Sequence, residues 1–215
     1  MASSENEFGV TDHGSRKPRS GRVGTSNHRA SQIVIQRNPC DLRGNKGVKT
    51  LQQEFKVATW NVRTLFEAGE VAKACRAMDR LNIQILGLSE VRWPGSGTTQ
   101  TMNKKLYYSG NSDNSKHSNG VGIIIGEELS QAVSNFPPVS DRNLLIQLSG
   151  KPMNINIIQT YAPTADKPTA ELEAWHKELE ELIKVIKKED LNFIMGDFNA
   201  KIGQGRVLYL VGDYG

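Results

Sequence analysis

The stretch Phe193-Ile194-Met195-Gly196-Asp197-Phe198-Asn199-Ala200 begins with three apolar residues that suit a strand. It runs at once into Gly, Asp and Asn, which favour turns. Upstream, residues 170–188 place Leu172, Trp175, Leu179, Leu182, Ile183 and Ile186 at helical spacing, which predicts an amphipathic helix. Before it, Ile155 to Thr160 reads as a strand. The same alternation opens at Phe55, where Phe55-Lys56-Val57-Ala58-Thr59-Trp60 is β-prone. Residues 68–82 then repeat apolar side chains at Val71, Ala74, Cys75, Met78 and Leu81, a helical period, and Ile83 to Leu88 is a buried-type strand. In the middle, Tyr107-Tyr108-Ser109 and Val121 to Ile125 flank a polar loop ending in Asn119-Gly120, which suits a hairpin. Leu144 to Leu148 is one more strand. The predicted class is mixed α/β.

Ahead of Phe55 the texture differs. Of the 215 residues only 37% are apolar, and the net charge is +4. Residues 1–54 hold nine Lys/Arg against five Asp/Glu, whereas residues 55–215 hold 18 of each. The Gly-, Ser- and Pro-punctuated run from Gly14 to Arg22 has no apolar period, so residues 1–54 are expected to be a disordered basic tail and residues 55–215 the domain. The tail reads first as a solvated linker. The sharper reading of Arg16-Lys17-Pro18-Arg19 is a nucleic-acid arm or nuclear-localisation patch. Two cysteines, Cys40 and Cys75, exclude a disulfide framework and a Cys-based zinc site. Met1 to Glu7 lacks the apolar core of a secretory signal, and no run is long enough to span a bilayer. No membrane partner is expected, and the location expected is intracellular, nuclear ahead of cytoplasmic.

Chemically capable side chains gather where strands end. Asn61 follows the first strand, Glu90 the Ile83–Leu88 strand, Tyr161 the Ile155–Thr160 strand, and Asp197 and Asn199 the Phe193–Met195 strand. Ligand sites of α/β sheets lie preferentially at carboxyl ends of strands, so a shared rim would bring these groups together. Two carboxylates among neutral hydrogen-bonding groups suit an oxygen-liganded Mg²⁺ and phosphoryl chemistry. Each residue alone also has an ordinary explanation: an Asx turn at Asn61, a surface charge at Glu90, a core edge at Tyr161, a turn at Asp197 and Asn199. Their common placement favours the site.

Thr59-Trp60-Asn61-Val62-Arg63, Leu86-Gly87-Leu88-Ser89-Glu90-Val91-Arg92-Trp93, Asn119-Gly120-Val121-Gly122-Ile123, Thr160-Tyr161-Ala162-Pro163-Thr164 and Met195-Gly196-Asp197-Phe198-Asn199-Ala200 occur in this order. Over residues 55–215 the chain resembles the endonuclease/exonuclease/phosphatase superfamily. More narrowly it resembles the endonuclease domain of non-LTR (LINE-type) retrotransposons and the derived craniofacial development protein 2-like proteins. The resemblance implies a two-sheet α/β sandwich and Mg²⁺-dependent cleavage of DNA through its backbone phosphates. It implies Glu90 as metal ligand with Asn61 beside it, and Asp197 as the residue that orients or deprotonates water. It also implies Asn199 as a donor to the phosphate, and Tyr161 as a phosphate contact. The family pattern closes on a Ser-Asp-His motif that is not found here. The four histidines are His13, His28, His117 and His176, and none follows Ser-Asp. The expectation is a sandwich incomplete at its C-terminus and an activity weakened by the lost imidazole. The alternative is a non-catalytic module that binds nucleic acid or protein.

Overall fold

The computed structural model describes residues 55–200, apart from Ala68 and residues 114–116, and three backbone strands nearer the N-terminus. Those strands are β1 (Ser31–Val34), β2 (Cys40–Arg43) and β3 (Val48–Leu51). The order continues with β4 (Lys56–Asn61), α1 (Glu70–Leu81), β5 (Ile85–Ser89), β6 (Ser96–Thr101), β7 (Lys104–Ser109) and β8 (Val121–Gly126). A single turn α2 (Glu127–Ser130) leads to β9 (Val133–Asn135), β10 (Asn143–Leu148), β11 (Gly150–Lys151) and β12 (Ile155–Tyr161). The long helix α3 (Thr169–Val185) and β13 (Leu191–Asp197) follow.

Two sheets carry the domain. One has the order β1-β4-β5-β8-β7-β6, the other β13-β12-β10-β9. Within them, β4 with β5 and β12 with β13 are parallel, and the helices α1 and α3 make those two crossovers. The parallel pairs set the register that matters: Asn61 lies opposite Ser89, and Tyr161 opposite Asp197.

Side-chain alternation along the strands sorts the apolar residues into layers. Val57, Ile85, Val121, Ile123 and Ile125 from the first sheet meet Leu144, Ile146, Leu148, Ile155, Ile157 and Met195 from the second, forming the central core. The alternate residues Ala58, Leu86, Leu88 and Ile124 point outward onto Ala74, Cys75 and Met78 of α1. Leu145 and Ile158 do the same toward Trp175, Leu179 and Leu182 of α3. The result is helix on sheet on sheet on helix. Each fully buried aliphatic side chain contributes on the order of 1.5–3 kcal/mol. Strand β5 is buried on both faces because α1 covers one and the second sheet the other. That is why Ile85 to Leu88 reads as an unbroken run without polar side chains.

Three expectations need adjusting. Helix α3 buries Trp175, Leu179 and Leu182, but Leu172 and Ile183 of its anticipated apolar face are exposed by 39% and 42%. Strand β6 carries no mark in its own residues, since Ser96-Gly97-Thr98-Thr99-Gln100-Thr101 has no large apolar residue. It forms by pairing with β7 through Thr98 opposite Tyr107 and Gln100 opposite Lys105. The anticipated tail also carries strands. The β-prone Ser31–Val34 segment pairs antiparallel with β4, and β2 pairs with β3 and with β11. A segment with free backbone groups, placed beside the open edge of β4, gains a ladder of hydrogen bonds there. The Gly14–Arg22 run of the expected tail lies outside the described residues, as do residues 201–215.

Candidate active site

Asn61, Tyr161 and Asp197 are the last residues of β4, β12 and β13, and Glu90 follows β5 by one residue. The parallel pairs end on the same side of the molecule. The four side chains therefore meet where the two sheets meet.

The centre is the Asn61 amide. Its Nδ2 donates to Glu90 Oε1 at 2.7 Å and to Asp197 Oδ2 at 2.9 Å. Its Oδ1 accepts the Arg63 backbone N–H at 3.0 Å, which leaves the donor end to face the carboxylates. Tyr161 donates its hydroxyl to Glu90 Oε1 at 3.2 Å. Arg92 donates from Nη2 to Glu90 Oε2 at 2.7 Å. Asp197 Oδ1 accepts the Asn199 N–H at 3.0 Å, an Asx turn that fixes its carboxylate. Asn199 itself spends its Nδ2 on the carbonyl of Ala162 at 2.7 Å. Of the five anticipated residues, four are joined by side-chain hydrogen bonds, and Asn199 joins through its backbone.

The backbone is shaped for this. Glu90 lies in the left-handed region at φ 60°, as does Arg92 at φ 59°. Such a conformation costs of order 1–3 kcal/mol for a residue with a β-carbon and persists only when its surroundings fix it. Here Val91 N–H donates to Gly120 O at 2.9 Å and Arg92 N–H to Asn119 O at 2.8 Å. On the other sheet, Gly196 has φ 150° and a β-carbon there would fall 1.9 Å from the carbonyl oxygen of Thr160. Only glycine lets β13 lie close enough to β12 to deliver Asp197 beside Tyr161.

Electrostatics follow from these contacts. Burial is the largest influence on Glu90 and raises its pKa, but the Asn61, Arg92 and Tyr161 hydrogen bonds with the Arg92 charge outweigh it, so the pKa falls below the ordinary value. Glu90 is therefore an anion at neutral pH. Tyr161 moves up, chiefly by burial and then by the Glu90 charge, so it remains a protonated donor.

Beneath the rim lies polar support that the sequence did not reveal. Gln159 is fully buried between the sheets and donates from Nε2 to Thr59 Oγ1 at 3.2 Å and to Ser89 Oγ at 3.1 Å. Arg142 is buried, accepts the Tyr161 N–H on its carbonyl at 2.8 Å, and donates to Tyr161 O at 3.2 Å. Its guanidinium stands 5.4 Å from the Tyr161 ring centre and pairs with Glu171 in the first turn of α3. Arg142 stands beside an unremarkable Ser140-Asp141 pair. Its partner Tyr161 is 19 positions away, so no local pattern marked it. Arg92 was visible two residues past Glu90, and only the positive φ angles show why it folds back. The two described histidines are engaged with aromatic rings: His117 against Phe66 at 5.1 Å, and His176 against Trp175 at 4.6 Å.

Hard oxygen donors gathered on one amide fit a Mg²⁺-type cation better than zinc or copper. Among the described residues there is no group of three or more His, Cys, Asp or Glu able to hold a metal by themselves. The fit is thus to a cation that keeps water and takes ligand oxygens, which is the habit of Mg²⁺. Among the described residues no helix is long and apolar enough to cross a membrane.

No protein-family model matches the chain. It is 31% identical over 206 residues to craniofacial development protein 2 of Bos taurus, a match covering 94% of this chain and 34% of that protein's length. The chain thus spans about a third of the relative it matches. In structure it is similar to the endonuclease domain of TRAS1, a telomere-specific non-LTR retrotransposon, with TM-score 0.52 and 14% identity over 69% of this chain and 60% of that one. It is likewise similar to the AP endonuclease LMAP of Leishmania major, with TM-score 0.51 and 15% identity over 66% of this chain and 54% of the other. The chain therefore has the endonuclease/exonuclease/phosphatase fold and is a homologue of craniofacial development protein 2.

Proposed function

We propose that the Asn61–Glu90–Tyr161–Asp197 rim is a Mg²⁺-dependent phosphodiesterase centre that cuts DNA. The observation that carries this reading is one amide nitrogen, Asn61 Nδ2, holding carboxylates from both sheets at 2.7 and 2.9 Å. Two carboxylates this close repel unless donors or a cation stand between them. The endonuclease names of its structural neighbours, the TRAS1 endonuclease domain and the AP endonuclease LMAP, support a nucleic-acid phosphodiester as the substrate class.

In this reading Glu90 holds the cation, with Asn61 fixing the carboxylate. Bound there, Mg²⁺ supplies charge neutralisation at a phosphate oxygen. Asp197, held by Asn61 and by the Asn199 N–H, would accept a hydrogen bond from water and take its proton as the water oxygen bonds to phosphorus, while the P–O bond to the leaving sugar oxygen breaks and that oxygen takes a proton from solvent. Tyr161, kept protonated by burial and by Glu90, donates a hydrogen bond at the same rim. Within these 215 residues no Ser-Asp-His triplet supplies an imidazole donor, so cleavage by this polypeptide is slow. The loss of one such donor costs about 10²–10³ in rate. The basic run of residues 1–54 adds phosphate affinity, since residues 55–215 are charge-neutral. This reading places the protein with its DNA, in the nucleus.

A second reading, a binding module without catalysis, draws on one observation: Glu90 Oε2 is already taken by Arg92. A fluorescent DNA duplex incubated with the chain and Mg²⁺, alongside p-nitrophenyl phosphate as a monoester, separates these readings. Slow duplex cleavage that EDTA stops, without monoester hydrolysis, supports the diesterase. DNA binding with no cleavage in any divalent cation supports the module.

A further inference from the structure

We propose that Arg92 is an exchangeable counter-ion. It neutralises Glu90 while no divalent cation is bound, and it passes to a phosphate oxygen of the nucleic-acid strand when a cation takes its place. The proposal rests on the reading of Glu90 as the cation's ligand.

The three donors to Glu90 are not equivalent. Oε1 receives Asn61 Nδ2 and the Tyr161 hydroxyl. Both belong to the framework: Asn61 is also tied to Arg63 N–H and Asp197, and Tyr161 is only 8% exposed and flanked by Arg142. Among the described residues Oε2 receives a side-chain hydrogen bond from Arg92 alone, and the Arg92 side chain is 45% exposed against 17% for Glu90. Oε2 is therefore the oxygen a cation from solvent reaches, and reaching it means displacing a guanidinium.

The backbone of Arg92 does not need to move. Its N–H is on Asn119 O at 2.8 Å, and a β-carbon on the neighbouring Gly120 would come within 2.9 Å of that same nitrogen. Exchange is thus a side-chain rotation from a fixed anchor at φ 59°. Arg142, the buried guanidinium nearby, is committed to Glu171 and to the Tyr161 carbonyl, so it does not substitute. Once released, Arg92 stands at the mouth of the site with its donors unpaired, and a guanidinium in that condition matches phosphate oxygens well. One residue then weakens cation binding in the free chain and strengthens strand binding in the loaded one. A residue that merely supports the loop would move both affinities in the same direction.

The test uses the whole chain and its R92A, R92K and E90Q variants, each checked for fold by circular dichroism. Mn²⁺ affinity is read without nucleic acid from the electron paramagnetic resonance signal of free Mn²⁺. Affinity for a fluorescein-labelled DNA oligonucleotide is read by anisotropy in saturating Ca²⁺. For R92A we expect Mn²⁺ to bind about tenfold tighter, the scale of a partly exposed charge-assisted hydrogen bond, and DNA to bind several-fold more weakly. R92K, which keeps the charge without the planar fork, falls between. Mn²⁺ affinity that is unchanged or weaker in R92A, or DNA affinity that is unchanged, overturns the proposal. If R92A fails to fold, R92K decides by the same two signs. Wild-type chain that binds no Mn²⁺, or binds it equally as E90Q, overturns the Glu90 reading and the proposal with it. Mn²⁺ binding lost in E90Q but indifferent to R92A removes the proposal alone.

Discussion

Asn61 and Asp197, 136 positions apart in the chain, meet at 2.9 Å, and the nitrogen that makes this bond also donates to Glu90 at 2.7 Å. Among the described residues this amide is the strand-end donor that reaches a carboxylate from each sheet. Removing it leaves two acidic groups facing each other with less to hold them. We expect Asn61→Ala to cost about 1–3 kcal/mol of stability, the scale of unpairing buried hydrogen-bonding groups. Urea denaturation of N61A, E90Q and the double variant should give a coupling of about 0.5 kcal/mol or more. Additive effects would mean the two residues do not interact in solution.

Gly196→Ala tests the delivery of Asp197. A β-carbon at this position would overlap the Thr160 carbonyl at 1.9 Å in a backbone conformation, φ 150°, that side chains avoid. Backbone against backbone leaves little room to adjust. The expected loss is about 3 kcal/mol or more, at the top of the range for overpacking. Gly126 is the control: the nearest atom to its added β-carbon is 3.9 Å away. Equal urea midpoints for G196A and G126A would refute the close approach.

Glu90 makes stability depend on pH in one direction. Its pKa is lowered in the folded chain by Asn61, Arg92 and Tyr161 despite burial. The stabilisation is therefore complete above the unfolded value of about 4.3 and is lost as pH falls through the folded value. Metal-free wild type should melt above E90Q at pH 6, and the gap should narrow steadily below about pH 4.3. A gap that widens on acidification would have the sign wrong.

Cys75 should behave as a core residue. It lies on α1, fully buried against the first sheet, and burial raises its thiol pKa. In a Cys40→Ser background, which removes the other thiol, alkylation by iodoacetamide at neutral pH should be negligible until urea unfolds the chain. Rapid labelling of the folded protein would show that this layer opens.

Much of this was legible in the sequence. Ala74, Cys75 and Met78 mark α1 by period, and the Ile85-Leu86-Gly87-Leu88 stretch of β5 marks a strand covered on both faces. Strand ends located the rim, because parallel strands end together and Asn61, Tyr161 and Asp197 are terminal residues. What was hidden depends on pairing across distance. Strand β6 takes its form from β7 rather than from its own residues. Gln159, Arg142 and Arg92 look ordinary in sequence, and their roles appear only when the fold brings Thr59, Tyr161 and Glu90 to them. Leu172 and Ile183 kept the helical period but fell outside the arc that α3 turns to the sheet.

The most direct measurement is nicking of supercoiled plasmid by the purified 215-residue chain with Mg²⁺, beside E90A and D197A prepared identically. We expect slow nicking that needs the cation and falls to background in both variants. Nicking that survives both substitutions, or none above their background, would contradict a phosphodiesterase centre built on Glu90 and Asp197.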